Sequence, residues 1–350
     1  MKEKLKVAVV FNEAHPDFYQ KHGNLDEKNL GFIPYFEVDD MNPIEEYELM
    51  AQKLAKFGYD AYTVNIKDDL NILINDCKEH NPDVIFNFVE LFNDNARHEM
   101  NVVGVIDLLR IPFTGAPPIV LANCQNKTLA KKILNAEGIN TPNFKFYEIN
   151  EYDNPIGLKY PIIVKPAFED ASVGIENESI VYNVKNLNKR LTYVYTELNQ
   201  PALVEEFIDG RELNVAVLGD KDPQALPISE IDFSKMPNHL HNIVSYQAKW
   251  DPKHEAYHKT IPICPANLPK EIELKAKEIA VQAFKTMECR DYARVDIRLS
   301  KDNELYVLEV NPNPDLTESA GFMRSAEATG MTYEEALSKI IELAYERREK

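Results

Sequence analysis

Two carboxylates that one turn would set face to face are the part of this sequence most able to do chemistry. The run from Tyr292 to Asn311 holds two alternating apolar stretches on either side of Asp302-Asn303, residue types that tolerate the positive φ of a two-residue hairpin turn. With that pair as the loop, Lys301 faces Glu304, and continuing the ladder sets Asp296 opposite Glu309 and Arg294 opposite Asn311. Strand side chains repeat every second residue, so Asp296, Glu309, Arg294 and Asn311 share one face. Val295, Ile297, Leu299, Tyr306, Leu308 and Val310 fall on the other face, the expected core. Like charges directly opposite one another destabilise a sheet unless positive charge lies between them. A hard divalent cation held by Asp296, Glu309 and the amide oxygen of Asn311 would supply it. Neutralisation by Arg294 and Arg298 on a solvated face is the alternative.

Other chemistry-bearing residues are individually plain. Lys165 ends an apolar strand and precedes Phe168 to Ile175, a small-residue loop whose Ser172 hydroxyl and backbone N–H groups around Gly174 suit phosphate oxygens. Lys127 lies in a helix that begins at Asn126. Glu205 and Glu206 close an apolar strand, and Glu212 follows a turn at Asp209-Gly210. These acids either form a solvated rim or accept hydrogen bonds from an adenine amino group and ribose hydroxyls.

The elements that must position these residues divide the chain into three expected parts. Residues 1–115 alternate strand and helix: Lys6 to Phe11, a helix opened by Pro43 and ended by Gly58, then Ala61 to Ile66, Asp69 to Lys78, Asp83 to Val89 and Met100 to Leu109. That pattern is a small doubly wound α/β domain. Residues 116–203 hold the Asn126 helix, closed by Gly138, and strands at Asn143 to Glu148 and Tyr160 to Lys165. Residues 204–350 hold the strand Glu212 to Leu218, the hairpin, and a last helix. That helix is capped by Thr332 with Glu335 in capping-box position, over a stripe of Leu337, Ile340, Ile341 and Ala344.

Composition narrows the function. The 350 residues are 44% hydrophobic and 27% charged, as in a soluble globular protein. A net charge of -18 argues against nucleic acid or an anionic membrane as a partner, but not against nucleotides, which need only a few local lysines. The apolar run Val7 to Phe11 is too brief for a signal-peptide core or a membrane span. Cys77, Cys124, Cys264 and Cys289 are scattered, with no disulfide or zinc spacing, so a cytoplasmic location is expected.

Order raises the signal. Helix lysine, strand lysine with a small-residue loop, acidic hinge, Ala248-Lys249-Trp250, then the Arg/Asp and Glu/Asn hairpin: this succession resembles the ATP-grasp superfamily, and D-alanine:D-alanine ligases in particular, from about Asn126 to Ala344. The resemblance implies an ATP-grasp fold behind the N-terminal α/β domain, and a carboxylate-amine ligase acting on small molecules, with a homodimer as the expected assembly. It implies that Lys127 and Lys165 contact ATP phosphates, that Glu205 takes the adenine amino group and the backbone of Glu206, Phe207 and Ile208 the rest of its edge, and that Glu212 holds the ribose. Asp296, Glu309 and Asn311 would bind two magnesium ions, or manganese in their place. Lys249 would reach the γ-phosphate from a loop around Met236 to Lys259 that closes over the site. Arg294 would neutralise the transferring phosphoryl group and the later oxyanion, beside the Ser172 loop.

Departures from the family pattern concern the substrates. Where those ligases carry a glycine and, five residues on, a serine that help bind the second amino acid's carboxylate, this chain has Asp315 and Ala320. A carboxylate there repels an incoming carboxylate, and the lost hydroxyl removes a donor. Arg324, one helical turn beyond Ala320, either restores a cation or is a solvated helix arginine. The N-terminal glycine-rich loop is replaced by Val89 to Glu99, and the glutamate expected after the first strand aligns with Asp17. His239, His241, His254 and His258 around the lid are expected on the surface.

Overall fold

The computed structural model describes residues 4–13, 43–152, 157–169 and 172–348. Asp17 lies outside them. The first part holds β1 (Lys6–Phe11), α1 (Pro43–Phe57), β2 (Asp60–Asn65), α2 (Leu70–His80), β3 (Val84–Phe88) and α3 (Glu99–Leu108). Its strands form a parallel sheet in the order β2-β1-β3. Asp69 starts α2 by accepting a hydrogen bond from the Asn71 N–H at 2.9 Å.

Next come α4 (Pro118–Gln125), α5 (Lys127–Ala136), β4 (Phe144–Tyr147), β5 (Ile162–Pro166), β6 (Ile180–Val181), α6 (Val184–Glu197) and β7 (Ala202–Glu206). Asn126 caps α5 through the Leu129 N–H at 3.1 Å. That bond fixes which face of the helix carries Lys127. The strands form an antiparallel sheet ordered β4-β7-β5-β6. The expected boundary at 203/204 therefore falls inside β7, and the change of sheet comes between Glu206 and Gly210.

The remainder holds β8 (Gly210–Leu218), β9 (Gln224–Ala225), β10 (Ser229–Asp232), α7 (Tyr246–Trp250), β11 (Ile261–Ile263), α8 (Lys270–Thr286), β12 (Tyr292–Ser300), β13 (Leu305–Asn311), α9 (Gly321–Glu327) and α10 (Tyr333–Glu346). A six-stranded sheet runs β11-β10-β8-β12-β13, with β9 on β8. Its apolar face, including Leu213, Val215, Val295, Ile297 and Val307, packs with Ala276, Ala280 and Phe284 of α8. The other face carries the polar Glu212, Asn214, Arg294 and Asp296, and at one end Ala216, Leu218 and Tyr292 pack with Phe322 and Met323 of α9. The capping box of α10 is present, and Leu337, Ile340 and Ile341 pack with Val7, Val9 and Phe86, so the last helix covers the first sheet.

The hairpin keeps the expected carboxylate pairing by a different route. Its loop has three residues, Lys301 to Asn303, closed by Ser300 N–H to the Glu304 carbonyl at 2.8 Å, with Asn303 at φ 62°. That shifts the outer pairs by one, so Leu299 faces Leu305 and Ile297 faces Val307. A bulge at Leu308 shifts them back, and Asp296 faces Glu309 and Arg294 faces Asn311. The core face of β13 is therefore Leu305, Val307 and Val310, whereas Tyr306 and Leu308, expected there, are only partly buried.

Gly210 sits where β8 meets the end of β12, and a Cβ there would come within 2.0 Å of the Leu299 carbonyl oxygen. Gly210→Ala should lower unfolding free energy by about 1 to 3 kcal/mol through this clash, measured by urea denaturation; an unchanged midpoint would refute the close packing of the two strands.

Candidate active site

The polar face of the six-stranded sheet concentrates charge in register. Asp296, 6% exposed, has both oxygens engaged. The Arg294 fork donates to it at 2.7 and 2.8 Å, Asn214 Nδ2 at 2.7 Å and Asn311 Nδ2 at 2.9 Å. Asn214 is its cross-strand neighbour on β8, and sequence reasoning missed it. The signal was present, since Glu212 and Asn214 alternate in a strand that is apolar from Val215 to Leu218. Glu309 pairs with Lys127 Nζ at 3.1 Å. Lys127 foremost, with Lys165 and Lys249, holds its carboxyl well below the usual carboxylate range, against the effect of burial. In this structure Arg294 neutralises Asp296, on a buried and not a solvated face, while Arg298 turns to Glu212.

A second charged group lies beneath. Glu205, 1% exposed, meets Lys165 at 2.8 Å and Lys131 at 3.0 Å. Burial works to raise its carboxyl, and the two ammonium groups hold it low. Burial in turn pushes the Lys131 ammonium down, opposed by Glu205. Lys131 was not singled out in the sequence, although it stands one turn from Lys127 on α5 and so shares its face. In this structure both Glu205 oxygens face lysine ammonium groups, so the carboxylate, expected at the adenine amino group, also positions Lys165. In the hinge, the Glu206 and Phe207 N–H groups donate to the Asn143 and Pro161 carbonyls. Among the described residues the Ile208 and Asp209 N–H groups have no acceptor, so the hinge keeps free backbone donors.

Glu212 meets Arg298 at 2.8 Å, and burial raises its carboxyl against that cation. Arg298 also donates to the carbonyls of Gly210 at 3.0 Å and Asn242 at 2.6 Å, tying the hinge to the lid. Ser172, at φ 63°, donates its hydroxyl to the Val244 carbonyl at 2.8 Å, so in this structure the hydroxyl holds the lid instead of standing free. Gly174 follows at φ 69°, with Leu198 and Pro166 where a Cβ would go. Tyr246 N–H bonds the Ile175 carbonyl, and Asn177 bonds the backbone of His239 and His241. The lid is therefore docked on the small-residue loop. Lys249, on α7 of that lid, is accessible to solvent within the cleft, yet burial by surrounding protein, then Arg294, pushes its ammonium down. His258 is buried, its Nε2 2.8 Å from the Pro252 carbonyl oxygen, contrary to the expected surface position.

At the far end, both oxygens of Asp315 accept from Thr317, from its N–H at 2.8 Å and its hydroxyl at 3.0 Å. Ala320 precedes α9, and the Arg324 N–H bonds its carbonyl at 3.0 Å. Arg324 is partly buried, between the two expected environments.

No three His, Cys, Asp or Glu side chains among the described residues form a ready metal cage. The donor set of Asp296, Glu309 and Asn311 nevertheless fits a hard cation: two carboxylates and an amide oxygen on one sheet face, with cationic side chains already drawn to both acids.

A family model described as "D-ala D-ala ligase C-terminus" matches residues 133–342. The D-alanine–D-alanine ligase of Carboxydothermus hydrogenoformans is 34% identical over 306 residues, covering 85% of this chain and 91% of that protein. An uncharacterized protein of Sinorhizobium fredii, y4sG, is 30% identical over 264 residues, 75% of each chain. The crystal structure of D-alanine–D-alanine ligase from Bacillus anthracis complexed with ATP superposes with a TM-score of 0.73 at 25% identity, covering 99% of both chains.

Removing one member of the buried lysine–carboxylate group should be costly. Glu205→Ala leaves two ammonium groups desolvated and should destabilise the fold by about 3 to 5 kcal/mol, and adding Lys131→Met should recover part of that loss. Denaturation of the single and double variants checks it, with no recovery counting against the arrangement.

Proposed function

This chain belongs to the ATP-grasp family of D-alanine–D-alanine ligases, and we propose that it is an ATP-dependent carboxylate-amine ligase whose substrates are not two D-alanines. The observation that carries the ligase reading is the single cleft in which Lys127, Lys165, Lys249 and Arg294 all act on Glu309, Asp296 or each other. With Lys131 and Arg298 there are six cations around the four acids Asp296, Glu309, Glu205 and Glu212, and this excess leaves room for further negative charge, which a polyphosphate supplies.

In the first step a substrate carboxylate oxygen attacks the γ-phosphorus of ATP, the bond to the bridging oxygen breaks, and ADP leaves, giving an acyl phosphate. Lys127, Lys165 and Lys249 bind phosphate oxygens, and the Ile208 N–H and Glu212 orient the nucleoside. Magnesium, held by Asp296, Glu309 and Asn311, would neutralise charge on the phosphates. Binding it asks Arg294 and Lys127 to turn from the acids toward the nucleotide, and both are long side chains able to do so. In the second step an amine attacks the acyl carbon, loses a proton, and expels inorganic phosphate. Arg294 stabilises the oxyanion formed on the way. The lid, tied down through Ser172 and Arg298, keeps water from the acyl phosphate.

The departure from two D-alanines rests on Asp315 and Ala320. A fixed carboxylate at the first position and a methyl at the second disfavour an α-carboxylate bound there. The residues 89–99, without a glycine-rich loop, point to a different carboxylate donor as well.

Two experiments test this reading. ADP release should be metal-dependent and stimulated by a particular carboxylate and amine in a screen of amino acids, amines and small peptides, and Glu309→Gln should lower it on the order of 100-fold or more. Parental turnover by that variant would remove the metal assignment. Asp315→Gly with Ala320→Ser should raise ADP release with D-alanine, each recovered contact contributing about 1 to 3 kcal/mol. Vigorous D-alanyl-D-alanine synthesis by the unmodified protein would instead make it a D-alanine–D-alanine ligase with a rearranged acceptor pocket.

A further inference from the structure

Arg324 is the cation in this cleft that no part of the reaction above employs. Its backbone N–H bonds the Ala320 carbonyl, so its side chain stands one turn along from Ala320 on the same face of the chain. One guanidinium nitrogen donates to the Ser319 carbonyl, and Nε is buried without an acceptor. No carboxylate among the described residues forms an ion pair with it. Among the described residues the groups that act on it are Cys264, Arg294 and Asp315, and both oxygens of that acid are already taken by Thr317. Gly321 lies beneath, where an added Cβ would be 3.5 Å from the second terminal nitrogen.

A partly buried guanidinium beside a second guanidinium, with one terminal nitrogen on a carbonyl and a buried Nε that has no acceptor, is an arrangement that an anion completes. The planar fork suits a carboxylate, which accepts two parallel N–H bonds. We propose that Arg324 binds a carboxylate on the acceptor amine, and that it sets the length of that acceptor: the carboxylate must reach past Asp315 to be held. This rests on the ligase reading and names the acceptor class within it, an amine carrying a carboxylate removed from the amine-bearing carbon.

The test compares acids with their amides. Glycine, β-alanine, γ-aminobutyrate and glycylglycine, each beside its terminal amide, are titrated calorimetrically into the protein loaded with ADP and magnesium. At least one of the longer acids should bind about 10 to 100 times more tightly than its amide, as charge-assisted hydrogen bonds allow, and glycine should show no such preference. Arg324→Met should abolish the preference by weakening the acid alone, while Arg324→Lys keeps a reduced one; affinity for ADP in both variants reports that the fold is intact. If Arg324→Met does not fold, Arg324→Gln replaces it. The proposal is overturned if the unmodified protein binds every acid no better than its amide, or if the preference survives the loss of the guanidinium. Failure of every acid-amine combination to release ADP would instead count against the ligase reading, and the binding comparison stands apart from that result.

Discussion

The face-to-face placement of Asp296 and Glu309 is the constraint around which the rest is arranged. Two carboxylates about 5 Å apart in a medium of effective dielectric near 20 repel by roughly 3 kcal/mol, a sizeable part of a protein's total stability. The sheet tolerates them because each acid has its own cation, Arg294 from the same strand and Lys127 from α5. Asn214 and Asn311 complete the shell of Asp296. Compensation therefore comes from three parts of the chain at once. This couples the seating of α5 on the sheet to the charge state of the site.

The same logic operates one layer down, with the signs reversed. Lys131 and Lys165 share the single carboxylate of Glu205 between α5, β5 and β7. Such a group is costly to bury, and its value is positional: Lys165 is held at the mouth of its strand without a solvated alternative. Above both layers the lid is fastened by neutral donors and by Arg298, which connects Glu212, the Gly210 carbonyl and the Asn242 carbonyl. Strand β8, hinge and lid thus share one arginine, so the closed lid and the orientation of Glu212 depend on each other.

Periodicity and punctuation in the sequence determined much of the architecture. Alternation marked the strands, the Thr332 and Glu335 pair marked the start of α10, Asn126 marked that of α5, and period two placed Asp296, Glu309, Arg294 and Asn311 together. The pairing of the acids was legible although its path was not. A three-residue loop and a bulge at Leu308 displace the ladder by equal and opposite steps, and neither is written in hydrophobic alternation, because Tyr306 and Leu308 are as apolar as the residues that do enter the core.

Only the tertiary structure decided which acids are free and which are consumed. Glu205 and Glu212 look alike in the sequence as strand-end carboxylates, yet one is enclosed by two lysines and the other faces Arg298, because α5 and β12 approach them from distant parts of the chain. Lys131 and Lys127 are likewise two lysines on one helix until packing buries the first and leaves the second at the cleft. His258 is buried by lid contacts that no local pattern encodes. Arg324 is half-buried and unpaired for the same reason. Local sequence sets the direction of a side chain along its own element, whereas partner, burial and net charge are set by whatever other elements are packed against it.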